Sequence, residues 1–260
     1  MKILSLQQRI EAANAEGRMA RIPFLTAGFP APASFPSLLR ELDENGADII
    51  EVGVPFSDPV ADGPVVEDAS RRALEAGVTL PWILENLGAL SPRLKAGLVL
   101  MGYYNPFLQH GLEKLAKEAA GAGVQGVIVP DLPLGEDALL RDILTDAGLD
   151  LIALVGPNTG EERMQAYAEK ARGYVYVVSV MGTTGAREGL PPEAETTIAR
   201  AQRLFSLPVA LGFGLREPGQ LLGLKNPPQA AVFGSALLRH LDQGGTVRDF
   251  MTPWLKAALP

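Results

Sequence analysis

Residues 112–129 read Leu112-Glu-Lys-Leu-Ala-Lys-Glu-Ala-Ala-Gly-Ala-Gly-Val-Gln-Gly-Val-Ile-Val129, and they carry the rule that organises the chain. Leu112, Leu115, Ala116 and Ala119 recur at spacings of three and four and form one helical face, while Glu113, Lys114, Lys117 and Glu118 form the other. Gly121 follows as a C-cap residue would. Gly126–Val129 is then a short, continuously apolar run, the pattern of a parallel strand buried on both faces. Gly121, Gly123 and Gly126 also spell a dinucleotide fingerprint, which must follow a strand and open a helix. Here they end a helix and open a strand, so they are a fold signal only.

The same unit repeats in both directions. Apolar runs occur at Ile22–Ala27, Asp48–Val52, Gly97–Met101, Gly126–Val129, Leu151–Val155, Tyr174–Val178, Pro208–Leu211 and Ala230–Phe233. Helical segments lie between them, and Asn45-Gly46, Gly77 and Gly148 mark further helix stops. Eight strands alternating with helices, with no linker, predict one α/β domain over residues 1–260, a (β/α)8 TIM barrel. Leu6, Ile10 and Ala13 share a face and predict an extra N-terminal helix. The second and third strands start 49 residues apart (97 − 48), room for a long loop (Val54–Pro64), a helix (Val65–Ala76) and an extra helix after Pro81.

Composition narrows the chemistry. The net charge is −7 and no Lys/Arg run exceeds Arg71-Arg72, which argues against nucleic acid. There is no cysteine, hence no disulfide, thiolate nucleophile or cysteine zinc site. No apolar stretch approaches a membrane span and the start lacks a signal-peptide pattern, so a cytoplasmic location is expected. The two histidines, His110 and His240, have no metal-ligand neighbour at i+4, and none of the seven lysines ends a strand. A metal site and a lysine Schiff base are therefore not expected.

In such barrels the active site lies in the loops after the strands. Glycine-rich turns follow the last three strands: Gly182-Thr-Thr-Gly185, Gly212-Phe-Gly214 and Gly234-Ser235, the last opening a helix. Glycines let backbone N–H groups approach an anion, and a helix N-terminus adds free donors. Together they predict a phosphate cup, although each glycine alone would also serve a tight turn. Glu51 ends the second strand and Asp62 lies in the long loop after it. Two carboxylates in different environments can divide acid–base work. A structural salt bridge for Glu51 and a turn role for Asp62 remain alternatives.

At these residues the sequence resembles the tryptophan synthase alpha subunit family. The resemblance runs the whole chain, through Ile22-Pro-Phe-Leu-Thr-Ala-Gly-Phe-Pro30, Glu51-Val-Gly-Val-Pro-Phe-Ser-Asp-Pro-Val-Ala-Asp-Gly-Pro64, Leu100-Met-Gly-Tyr-Tyr-Asn-Pro106 and Val129-Pro-Asp-Leu-Pro133, then the three glycine turns in order. It implies a lyase of L-tryptophan biosynthesis that reversibly cleaves indole-3-glycerol phosphate to indole and glyceraldehyde 3-phosphate. Glu51 would shuttle protons and Asp62 would hold the indole N–H. Thr184 would close a lid over the substrate. Phe24, Leu100, Ile128, Tyr176 and Phe213 would wall the indole, and Gly185, Gly214, Gly234 and Ser235 would hold the phosphate. No cofactor or metal is implied in this chain. Pyridoxal phosphate would belong to a beta subunit, met in an alpha2beta2 heterotetramer through Tyr103–Phe107 and the Pro133 region. Thr183 stands where the family usually has Val, with Met181 before the loop. Other readings are a phosphate-binding isomerase of aromatic or histidine biosynthesis, a freestanding indole-releasing lyase, and a non-catalytic activator subunit. The Glu51–Asp62 segment argues against the first, and the retained acids and Thr184 against the last.

Overall fold

The computed structural model describes residues 3–178, 190–212 and 214–257. Strands β1 (Ala20–Thr26), β2 (Ile49–Gly53), β3 (Gly97–Met101) and β4 (Gly126–Ile128) pair in parallel in chain order. The fifth apolar run forms two short strands, β5 (Asp150–Leu151) and β6 (Ala153–Val155), parted by Ile152. β5 pairs with β4, and β6 pairs with β7 (Val175–Val178). β8 (Val209–Gly212) and β9 (Ala230–Phe233) return the sheet to β1. One broken strand thus makes the sheet nine-stranded by pairing, while the eight expected strand positions are all filled.

The strand interior alternates as a pleated barrel wall requires. On β1, Phe24 faces the cavity at the barrel's C-terminal end, whereas Arg21 points outward and donates to the Trp254 carbonyl at 3.0 Å. Trp254 lies on the terminal helix α11 (Val247–Lys256). The opposite end of the barrel is closed by α1 (Leu6–Ala15), whose capping box joins Ser5 and Gln8. Leu6 is fully buried there, and a Cβ on Gly97 or Gly126 would stand only 2.9 and 2.8 Å from its side chain.

The long β2–β3 connection holds α3 (Pro64–Glu75) and α4 (Leu80–Gly88), as the spacing predicts. α2 (Phe35–Glu44) precedes β2, and its Gly46 stop has φ +85°. The stop expected at Gly121 is displaced. The helix, α6 (Leu112–Ala122), runs through Gly121 and ends at Gly123, whose φ of +89° only glycine adopts readily. Between β3 and α6, α5 (Tyr104–His110) starts directly after the strand. α7 (Ala138–Asp146), α8 (Glu161–Ala168), α9 (Pro192–Leu204) and α10 (Ser235–Asp242) complete the outer layer. No helix among the described residues is long and apolar enough to cross a membrane.

Candidate active site

The inward face of β2 carries Glu51, paired in register with Phe24 of β1 and Val99 of β3. Its carboxyl has no solvent exposure. Tyr174, just before β7 on the far wall of the barrel, donates its hydroxyl to Glu51 Oε1 at 2.7 Å. Glu51 Oε2 has no hydrogen-bond partner among the described residues. Burial raises the Glu51 pKa to about 8, the Tyr174 hydrogen bond holding it back only in part. At neutral pH this carboxyl therefore keeps its proton. Among the described residues no cation faces it, which argues against the salt-bridge alternative.

Asp62 comes from the loop between β2 and α3. That loop is tied down by Tyr103, whose hydroxyl accepts the Ala61 N–H at 2.9 Å and bonds the Asp62 carboxyl. The Phe56 ring packs on Tyr103 at a centroid distance of 5.2 Å. Burial raises Asp62 as well, to about 6, against the opposing Tyr103 hydrogen bond. The two acids thus titrate apart, one mostly ionised at neutral pH and the other mostly protonated, the arrangement acid–base chemistry uses.

Asp62 opens onto a pocket with Gly63, Val66, Phe24, Met101, Tyr176 and Val232. Gly214, Gly234 and Ser235 line it too. Ser235 is the first residue of α10, whose first turn carries no acidic side chain. Its unpaired N–H groups and dipole favour an anion there. Glycine is needed at this end for space. A Cβ on Gly234 would stand 2.8 Å from the Phe24 ring, and one on Gly212 would stand 2.0 Å from the Tyr176 hydroxyl.

Of the predicted residues, the structure gathers Phe24, Asp62, Tyr176, Gly214, Gly234 and Ser235 around one pocket, with Glu51 buried in the adjoining barrel wall. Ile128 pairs with Met101 and shares its inward face. Leu100 does not join them. It pairs with Val52 and Val127, one residue out of phase with Glu51, so it packs under the helices and Met101 takes the pocket wall. Thr184, Gly185 and Phe213, with Met181 and Thr183, lie outside the described residues. Tyr174 and the Asp62 contact of Tyr103 escaped the sequence reading, although Tyr174-Val-Tyr176 alternates as two inward residues of a strand must. His110 ends α5 and meets Glu118 at 2.7 Å, away from the pocket. Among the described residues no group of three or more His, Asp or Glu side chains could hold a metal ion.

Comparison with known proteins agrees over nearly the full length. Residues 10–252 match the family model described as tryptophan synthase alpha chain. The tryptophan synthase alpha chain of Nitratidesulfovibrio vulgaris (strain DP4) is 65% identical over 98% of this chain and 99% of its own. A solved tryptophan synthase from Mycobacterium tuberculosis superposes with a TM-score of 0.88 at 34% identity, covering 96% of each chain. A tryptophan synthase complex from Pyrococcus furiosus gives 0.83 at 32% identity, over 92% of this chain and 98% of the other.

Proposed function

The chain belongs to the tryptophan synthase alpha chain family, and we propose that its pocket performs the family's reaction with Glu51 and Asp62 in separate roles. The reaction is the reversible lyase cleavage of indole-3-glycerol phosphate to indole and glyceraldehyde 3-phosphate, a step of tryptophan biosynthesis. The family's alpha chain needs no cofactor of its own, pyridoxal phosphate belonging to the beta subunit.

The observation that carries the assignment of roles is the layout of the pocket. An ionisable acceptor, Asp62, and an anion-binding helix start, Gly234-Ser235, line one pocket, and a proton-bearing Glu51 is buried in the wall beside it. With the phosphate on α10 and the ring against Phe24, Met101 and Tyr176, protonated Glu51 delivers its proton to indole C3. The ring nitrogen becomes positive, and ionised Asp62 accepts its N–H and stabilises that charge. The Glu51 carboxylate then takes the proton of the neighbouring glycerol hydroxyl. The carbon–carbon bond breaks, its electron pair restores the indole ring, and the hydroxyl carbon becomes the aldehyde. Glu51 ends the cycle protonated, ready to repeat it. A subunit that only bound phosphosugar would have no use for a buried carboxyl beside the ring.

The beta subunit contact falls at the same end of the barrel, in an alpha2beta2 assembly in the cytoplasm. Within Tyr103–Phe107, Tyr103 and Phe107 are buried and serve the barrel; Asn105, together with Leu108 and Val60, is exposed for a partner. The test is indole release from indole-3-glycerol phosphate with and without beta subunit. The expected result is slow release alone and strong activation by the partner. Glu51→Gln and Asp62→Asn should each lose at least about 10²-fold in kcat. Retention of most of the activated rate by a folded Glu51→Gln protein would exclude the assigned proton carrier.

A further inference from the structure

Two buried oxygens on the inner wall of the barrel, Thr26 Oγ1 and Glu51 Oε2, lack a hydrogen-bond partner among the described residues. Buried polar atoms are seldom left so, and each exception calls for an explanation such as strain or a catalytic role. Thr26 is 1% exposed and closes β1 at its C-terminal end. In register Phe24 lies beside Glu51 and Thr26 beside Gly53. Thr26 is therefore on the strand next to Glu51, on the same inward face, one inward position nearer the pocket mouth. The Phe24 ring fills the space over Gly53 opposite it, so the two oxygens meet only when that ring swings aside.

We propose that Thr26 is a positioning residue for Glu51, its hydroxyl receiving the free carboxyl oxygen when Glu51 turns from Tyr174 toward the substrate. The proposal rests on Glu51 being the proton carrier. Tyr174 draws the carboxyl across the barrel, whereas indole C3 must bind in the pocket beside Phe24. A carboxyl that gives up and regains a proton in each turnover needs a neighbour that serves both states. A threonine hydroxyl does so, accepting from the protonated acid and donating to the carboxylate. The donated bond is charge-assisted and the stronger of the two, so Thr26 favours the ionised state that follows proton delivery. Among the described residues the other titratable groups facing Glu51 are Tyr174 and Tyr176, both held neutral by burial, with Asp62 across the pocket from Tyr176.

The test uses the complete alpha–beta complex and follows indole release across pH. Thr26→Val keeps the shape and removes the hydroxyl. It should lower kcat about tenfold, leave KM within twofold, and move the alkaline limb of kcat up by roughly half to one unit, because the carboxylate has lost a donor. Thr26→Ser should stay near wild type, and Thr26→Val added to Glu51→Gln should cost nothing further. If Thr26→Val fails to fold, Thr26→Ala is read in its place. Wild-type kcat and an unmoved alkaline limb in the hydroxyl-free variant overturn the proposal, as does equal impairment of the serine and valine variants. Failure of the wild-type complex to release indole would instead overturn the functional reading, and this proposal with it.

Discussion

At the scale of single residues, Glu51 and Asp62 share one cause and differ in degree. Both are raised by burial, Glu51 to about 8 and Asp62 to about 6. In the proposed roles catalysis needs Asp62 ionised and Glu51 protonated, so kcat/KM should be bell-shaped between those values. Below about 6, Asp62 gains a proton and cannot stabilise the ring nitrogen. Above about 8, Glu51 has lost the proton it must deliver. The second ionisation of a substrate phosphate also falls near pH 6, which makes the alkaline limb the diagnostic one. Tyr174→Phe should move that limb upward, since the hydrogen bond it removes favours the ionised acid. A limb that stayed in place would detach Tyr174 from the titration.

At the scale of elements, the sequence showed strands and helices well and their phase less well. Continuous apolar runs locate a buried parallel strand but do not say which residues face in, because both faces are apolar. Leu100 and Met101 illustrate this, being equally hydrophobic neighbours that only the pairing with β2 separates. Glu51 was legible because a carboxylate in such a run is conspicuous, whereas Tyr174 reads as one more core aromatic until a partner across the barrel is known. Ile152 was hidden for a related reason, since its side chain suits a strand while its place breaks the pairing into β5 and β6. α1 shows the reverse, its apolar face announcing packing but not what it packs on. It plugs the barrel, and Leu6→Ala should cost about 2–4 kcal/mol of stability. Urea unfolding measures this. A loss below about 1 kcal/mol would mean that the plug is incidental.

At the scale of the whole molecule, the buried acids link folding to pH. The unfolded chain releases the Glu51 proton near 4.5 and the folded protein near 8, so folding holds a proton through that interval. Stability therefore falls as pH rises from about 4.5 to about 8, and Asp62 adds to the fall below about 6. Glu51→Gln removes the larger part. It should raise Tm by a few degrees at pH 8 and by little or nothing at pH 5. Melting curves at the two values check the sign, and a shift independent of pH would contradict it. α1 plugs one end of the barrel, and inside it Glu51 has no contact with solvent. In the proposed mechanism its proton then carries an isotopic memory of the previous cycle. Enzyme equilibrated in D2O and mixed rapidly with substrate in H2O should place deuterium at C3 of the first indole released and hydrogen in those that follow.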